Sequence, residues 1–398
     1  MTERTYEYHA LVLDGDGEHV QVVRWEEQTP RFWHFVSHVN EAVRELAGIE
    51  AITLRCLANE RVDEGRVVRV YELEAREGIA GVDPGAVDDL PAEAPARWRA
   101  EPDPELGVEW ALRGWYDGAL AWIGEHVDIA GPIEQLRTWS ISTVLRVPTP
   151  DGDVYFKAVP PLFAAEPALT RELGQRHPGR APSVFAADLD RRWMLMEDFD
   201  GEDLSADTWE DALQAYARLQ LDWIERTDLL RDLGCPDRGL ATLVAEIDPV
   251  LGDTGAMLGF SDEELAQLPA AAQRVRESCA QLAEHELPET LEHGDLHAGN
   301  IRARADGFLF YDWSDGCVSV PFFGLVPFSL DVPEARERLR DAYLKPWGAH
   351  LSEAFELAHV PGLFHHAVSY HRIVTATEPR ARWEWEQAFP YFVRQLLV

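Results

Sequence analysis

The chain has 398 residues, 46% of them hydrophobic, with 36 Lys plus Arg against 71 Asp plus Glu and a formal net charge of −35. So acidic a chain repels a phosphate backbone, which excludes nucleic acid as a partner class, and no uninterrupted apolar run reaches membrane-spanning length, which excludes a membrane protein. The amino end MTERTYEYHA lacks the basic and apolar parts of a signal peptide, and the four cysteines are scattered without a C-x-x-C pair, so a cytoplasmic protein with reduced, structural thiols is expected.

In chain order, EYHALVLDGDGEHVQVVRWEE reads as two strands about the turn Asp14-Gly15-Asp16-Gly17. VNEAVRELAGIEAITLRCL reads as an amphipathic helix closed by Gly48 and followed by a strand, and RVVRVYELEA adds another. Residues 1–97 therefore form a small α+β domain, and the Pro-, Ala- and acid-rich stretch from Asp83 to Pro104 reads as its linker. TWSISTVLRVPTPDGDVYFKAV is a strand pair about Asp151-Gly152-Asp153, followed by the helix EPALTRELGQRH and the strands VFAADL and RRWMLMEDF. From Thr208 the pattern turns helical, with WEDALQAYARLQLDWIERT, DEELAQLPAAAQRVRESCAQLAEH and an aromatic, helical carboxyl end interrupted by short strands in LEHGDLHAGNIRARADGFLFYDWSD. The expected fold is α+β: a bilobal, protein-kinase-like arrangement with a β-rich lobe at 98–198 and a mainly helical lobe at 199–398, carrying the catalytic loop, behind the extra domain at 1–97.

Phosphoryl transfer from a nucleotide needs a carboxylate at the acceptor hydroxyl, oxygen ligands for magnesium and a cation on the phosphates. HGDLHAGN (293–300) places Asp295 as the base and Asn300, five residues on, as a metal ligand, while the strand FLFYDW ends in Asp312, a second metal ligand where protein kinases carry D-F-G. Lys157 ends the strand VYFKA in a chain whose only other lysine is Lys345, a bias toward Arg that makes a compact ammonium at 157 informative. Its partner should come from the next helix, where Glu166 and Glu172 compete.

HGDLHAGN, YDWSD, VYFKA and WMLMEDF together resemble the aminoglycoside phosphotransferase family over roughly residues 98–398. The resemblance implies ATP and Mg²⁺ as cofactors, transfer of the γ-phosphoryl group to a hydroxyl of an aminoglycoside, sugar or amino alcohol, Asp295 as base, and His293 as support for the loop. It favours Glu166 over Glu172 as the partner of Lys157. It also implies a hinge at Met196, Glu197 and Phe199 for adenine, and, because TWSISTV has no glycine, Ser140 and Ser142 over the phosphates. Asp315, Trp347, His366, Tyr370 and Arg372 are the acceptor contacts expected from the carboxyl-terminal helices.

The helix before GIEAITL resembles a degenerate Nudix box: Glu41, Ala42, Glu45 and Leu46 stand where that box wants one arginine and three glutamates, so a scaffold without hydrolase activity is expected. The competing reading of the whole chain is a nucleotide-binding regulator with a kinase-like fold and no turnover.

Overall fold

In a computed structural model the described residues are 4–15, 20–79, 87–199, 201–331 and 333–397. Asp16 and Gly17 of the first expected turn, and the part of the expected linker at 83–86, lie outside them. The contacts divide the chain into two compact units, Met1–Pro160 with Thr377–Glu384, and Pro161–Ala376 with Trp385–Val398. The divisions expected at 97/98 and 198/199 mark stretches of chain, and the compact units cross them.

The first unit begins with β1 (Thr5–Leu13), buried along most of its length, as a central strand should be. β2 (Val20–Glu27) pairs with it antiparallel; α1 (Ser37–Ala47), β3 (Ala51–Arg61) and β4 (Arg66–Ala75) follow, giving a mixed sheet of order β2-β1-β4-β3 in which β1 and β4 run parallel. α1 packs His38, Val39 and Val43 inward and ends at Gly48, whose φ of +70° is the left-handed cap the sequence anticipates. The expected linker holds a helix instead, α2 (Ala94–Arg99). Val87, Leu90 and Ala94 carry the reason: they are buried with Leu11, Leu57 and Val70 against one face of the sheet. α3 (Trp115–Gly124) leads to an antiparallel meander of β5 (Glu134–Trp139), β6 (Ser142–Thr149) and β7 (Gly152–Ala158). The segment Thr377–Glu384 completes this unit: Trp383 packs on the core of β1, β2 and α1 with its ring 5.2 Å from that of Trp33.

The second unit opens with α4 (Glu166–Arg176) and the antiparallel pair β8 (Val184–Asp188) and β9 (Trp193–Glu197). β10 (Glu202–Asp203) precedes α5 (Trp209–Leu221) and α6 (Thr227–Asp232). The sequence WEDALQAYARLQLDWIERT, expected as one helix, thus divides after Leu221, and the break carries Trp223 into the core, where it is fully buried. α7 (Leu240–Gly252) and α8 (Asp262–Ala283) follow, the latter started by a capping box of Ser261 and Glu264. β11 (Thr290–Glu292), β12 (Ile301–Arg304), β13 (Gly307–Phe310) and β14 (Cys317–Ser319) form two small sheets, β10-β12-β13 and β11-β14. The chain ends in α9 (Val326–Asp331), α10 (Arg336–Trp347), α11 (Ser352–Leu357), α12 (His359–Ala376) and α13 (Ala388–Leu397), whose apolar faces close one large core. Among the described residues no helix is long and apolar enough to cross a membrane.

Candidate active site

The loop after β11 is tied down one residue at a time. His293 is fully buried; its Nε2 lies 3.0 Å from the Tyr311 carbonyl, and its Nδ1 faces the Asp295 N–H at 3.4 Å. Nε2–H donating and Nδ1 accepting is the pattern of a neutral imidazole, and burial pushes its pKa down to about 4. Gly294 has φ of +79°, and a Cβ there would sit 2.4 Å from the Asp315 carbonyl oxygen, so only glycine lets the loop pass. Asn300 donates its side-chain N–H to the Asp295 main-chain carbonyl at 2.9 Å, while its own main-chain carbonyl accepts the Tyr311 N–H at 3.1 Å.

Asp295 keeps 42% of its side-chain surface open. Surrounding protein nevertheless limits its solvation, and that desolvation first, then the carboxylates of Asp315 and Asp312, push it up to about 7. Asp312 follows β13 with φ of +64°, a left-handed conformation that a non-glycine residue adopts where its surroundings hold it. The Ser314 hydroxyl oxygen lies 2.8 Å from Asp312 Oδ1 and 3.0 Å from Glu166 Oε2, so its single hydrogen serves one carboxylate at a time. Glu166 on α4 is only 1% exposed, whereas Glu172 lies on the outer part of the same helix paired with Arg176.

Below the loop lies a buried polar network. Tyr216 donates its hydroxyl to Glu292 Oε1 at 2.6 Å and accepts the His293 N–H at 2.9 Å; Gln220 donates to Glu292 Oε2 at 3.2 Å. Burial raises Glu292 to about 7. Ser314, Gly294 and this network escaped the sequence reading. Gly294 and Ser314 lie within the quoted motifs, while the partners of Glu292 come from α5, far away in sequence.

The family model of the phosphotransferase enzyme family (APH) matches residues 133–357, from the residue before β5 to the end of α11. The chain belongs to that family. No curated protein matches it. Among solved structures, it is similar to an aminoglycoside 2'-phosphotransferase-IIIa in complex with GDP (14% identity, 71% of this chain and 97% of that one, TM-score 0.53). It is also similar to APH(2")-IIia in complex with GDP and kanamycin (12% identity, 71% and 97%, TM-score 0.52) and to the macrolide 2'-phosphotransferase MphH of Brachybacterium faecium (17% identity, 69% and 97%, TM-score 0.50). The likeness establishes the kinase-like α+β fold that the motifs lead one to expect.

The other residues expected at the site of this phosphotransferase-family chain are placed as follows. Met196 is buried on β9, Glu197 is exposed with its N–H on the Ser183 carbonyl, and the Phe199 ring lies 5.0 Å from that of Tyr311. In the first unit, Lys157 is buried near the end of β7, opposite Val144 of β6. Ser140 donates both its N–H and its hydroxyl to Glu384 Oε2, at 3.0 and 2.6 Å, and Ser142 accepts from the Trp139 indole. Of the five acceptor contacts, Asp315 and Tyr370 adjoin Asp295: Asp315 accepts from Arg238 at 3.2 Å, and the carboxylates of Asp295 and Asp315, after burial, raise the Tyr370 phenol. Trp347 is buried against Phe322, His366 is buried with Nε2 3.1 Å from the Phe323 carbonyl, and Arg372 is paired with Glu246 at 2.9 Å.

Proposed function

We propose that this chain is an ATP-dependent phosphotransferase that transfers the γ-phosphoryl group to a hydroxyl of an aminoglycoside, sugar or amino alcohol, in the cytoplasm. Family membership and fold support a kinase-like phosphotransferase acting on small molecules. The observation that carries the finer reading is Asp295, an accessible carboxyl pushed up to about 7 and held in one loop with Asn300 beside Asp312. In this reading Asp295 takes the acceptor's proton, Lys157 neutralises the phosphates with Glu166 as its partner, and the chain at Met196, Glu197 and Phe199 meets adenine.

Asn300 and Asp312 would hold Mg²⁺. The donor set fits: the Asn300 nitrogen is spent inside the loop, so its carbonyl oxygen is what it can offer a cation, and Asp312 adds a carboxylate held in place by Ser314. Among the described residues there is no cluster of three or more acidic, histidine or cysteine ligands, and an ion that takes its remaining oxygens from phosphates and water does not require one. When bound, magnesium neutralises charge developing on the phosphates. Residues 1–97 act in this proposal as a scaffold: Glu41 and Glu45 of α1 both face solvent, Glu41 beside Arg44.

A second reading, a nucleotide-binding regulator without turnover, draws support from the turn between β5 and β6, where the Ser140 N–H and hydroxyl are already spent on Glu384. ADP release with magnesium across a panel of sugars, aminocyclitols and amino alcohols separates the two. Acceptor-dependent release that disappears in Asp295→Asn supports the enzyme; nucleotide binding with no release on any acceptor supports the regulator.

A further inference from the structure

In the first unit a cavity of about 310 Å³ is lined by Leu54 and Arg55 of β3, Glu72 of β4, Trp98 in α2, Arg113 and Arg380. That volume suits a small molecule. Its charge runs against that of the whole chain: Arg55, Arg99, Arg113 and Arg380 border it against Glu72 and Glu101, in a protein of net charge −35. Arg55 is tied to Glu72, and Arg99 to Asp88. Arg380, 7% exposed, has its Nε 2.8 Å from Glu378 Oε2 and donates from Nη1 to the Ala100 carbonyl at 3.2 Å. Arg113 is exposed and has no ion-pair partner among the described residues. Burial, then repulsion from Arg55, weakens the hold of Arg380 on its proton, as two guanidinium groups close together in protein would. A purely structural pair of Arg–Glu staples accounts for Arg55 and Arg380, but not for an adjoining open volume with the guanidinium of Arg113, unpaired among the described residues, on its rim.

We propose that this cavity is a binding site for a small anionic molecule, its phosphate or carboxylate seated among Arg55, Arg113 and Arg380 and its carbon skeleton against Trp98 and Leu54. Guanidinium groups suit both oxyanions, and desolvation strengthens each hydrogen bond they make. Calorimetric titration of the full chain with inorganic phosphate, and separately with malonate, tests the proposal and tells the two oxyanion chemistries apart. Saturable binding of at least one probe is expected, weakened about 10-fold or more by Arg113→Ala, whose exposed side chain can be removed without disturbing the core, and by Arg380→Lys, and unchanged by Lys157→Ala. Binding that survives Arg113→Ala and Arg380→Lys, or that disappears in Lys157→Ala, overturns it, as does no saturable binding of either probe. Phosphoryl transfer is not read in this experiment, so its result stands apart from the fate of the proposed activity.

Discussion

His293 and Asp295 are two residues apart, and burial drives them in opposite directions, the imidazole down to about 4 and the carboxyl up to about 7. In the proposed role of base, a carboxyl with that pKa should make kcat/KM rise with pH through about 7 and level off above it, and Asp295→Asn should lower turnover by about 10²–10⁴-fold and abolish that limb while nucleotide affinity, measured by calorimetry, stays near the parent's. Loss of nucleotide binding in the variant would make Asp295 a metal ligand instead. Glu292 offers a stability test. Its folded pKa of about 7 lies above the ordinary 4.5, so between those values the folded chain keeps a proton that the unfolded chain has released, and stability falls as pH rises through that window. Glu292→Gln removes this slope: its melting temperature relative to the parent should climb by a few degrees from pH 4.5 to 7 and be flat above. A flat difference throughout would mean that Glu292 is not held protonated. That Asp295, Asn300 and Asp312 lie close together is legible from spacing because one loop and one hairpin carry them all. Glu292 is not, because its meaning lies in Tyr216 and Gln220, brought under it by α5.

At the scale of elements, helical faces decide what the spacing leaves open. Glu166 and Glu172 share α4, six residues apart in sequence, and only the packing of the helix separates the buried carboxyl near Ser314 from the one paired with Arg176. Glu172→Gln should change the melting temperature and turnover little, whereas Ser314→Ala, which leaves Glu166 and Asp312 without their shared hydroxyl, should cut turnover by about 10-fold. Equal effects in a paired assay would dissolve the distinction. β7 carries Phe156, Lys157 and Ala158 as three consecutive buried residues. Lys157→Arg should therefore lose most of the thermal stabilisation that magnesium-ATP gives the parent, since a planar fork does not replace a point charge in so confined a place. A retained shift would remove Lys157 from the phosphate site. Hairpin turns and apolar periodicity made β6, β7, β8 and β9 readable, while α2 was not, because PAEAPARWR has the composition of a linker and becomes helical where Val87, Leu90 and Ala94 find the sheet.

For the whole molecule, the charge of −35 sets a self-repulsion that no single pair describes. Screening should relieve it, so the melting temperature should rise by a few degrees between about 20 mM and 500 mM sodium chloride. A fall would mean that ion pairs such as Arg231 with Glu289 outweigh the repulsion. The compact unit that begins at Met1 is closed by Thr377–Glu384, with Trp383 on its core and Glu384 on the Ser140 N–H and hydroxyl. A ribosome delivers these pieces in order, so the first sheet emerges early and waits for almost the entire chain before its last tryptophan arrives. During that interval the surface around Trp33 is open to any apolar passer-by, which is where a chaperone would be needed. A chain terminated before Thr377 would therefore lack the segment that closes a unit built mainly from residues 1–160.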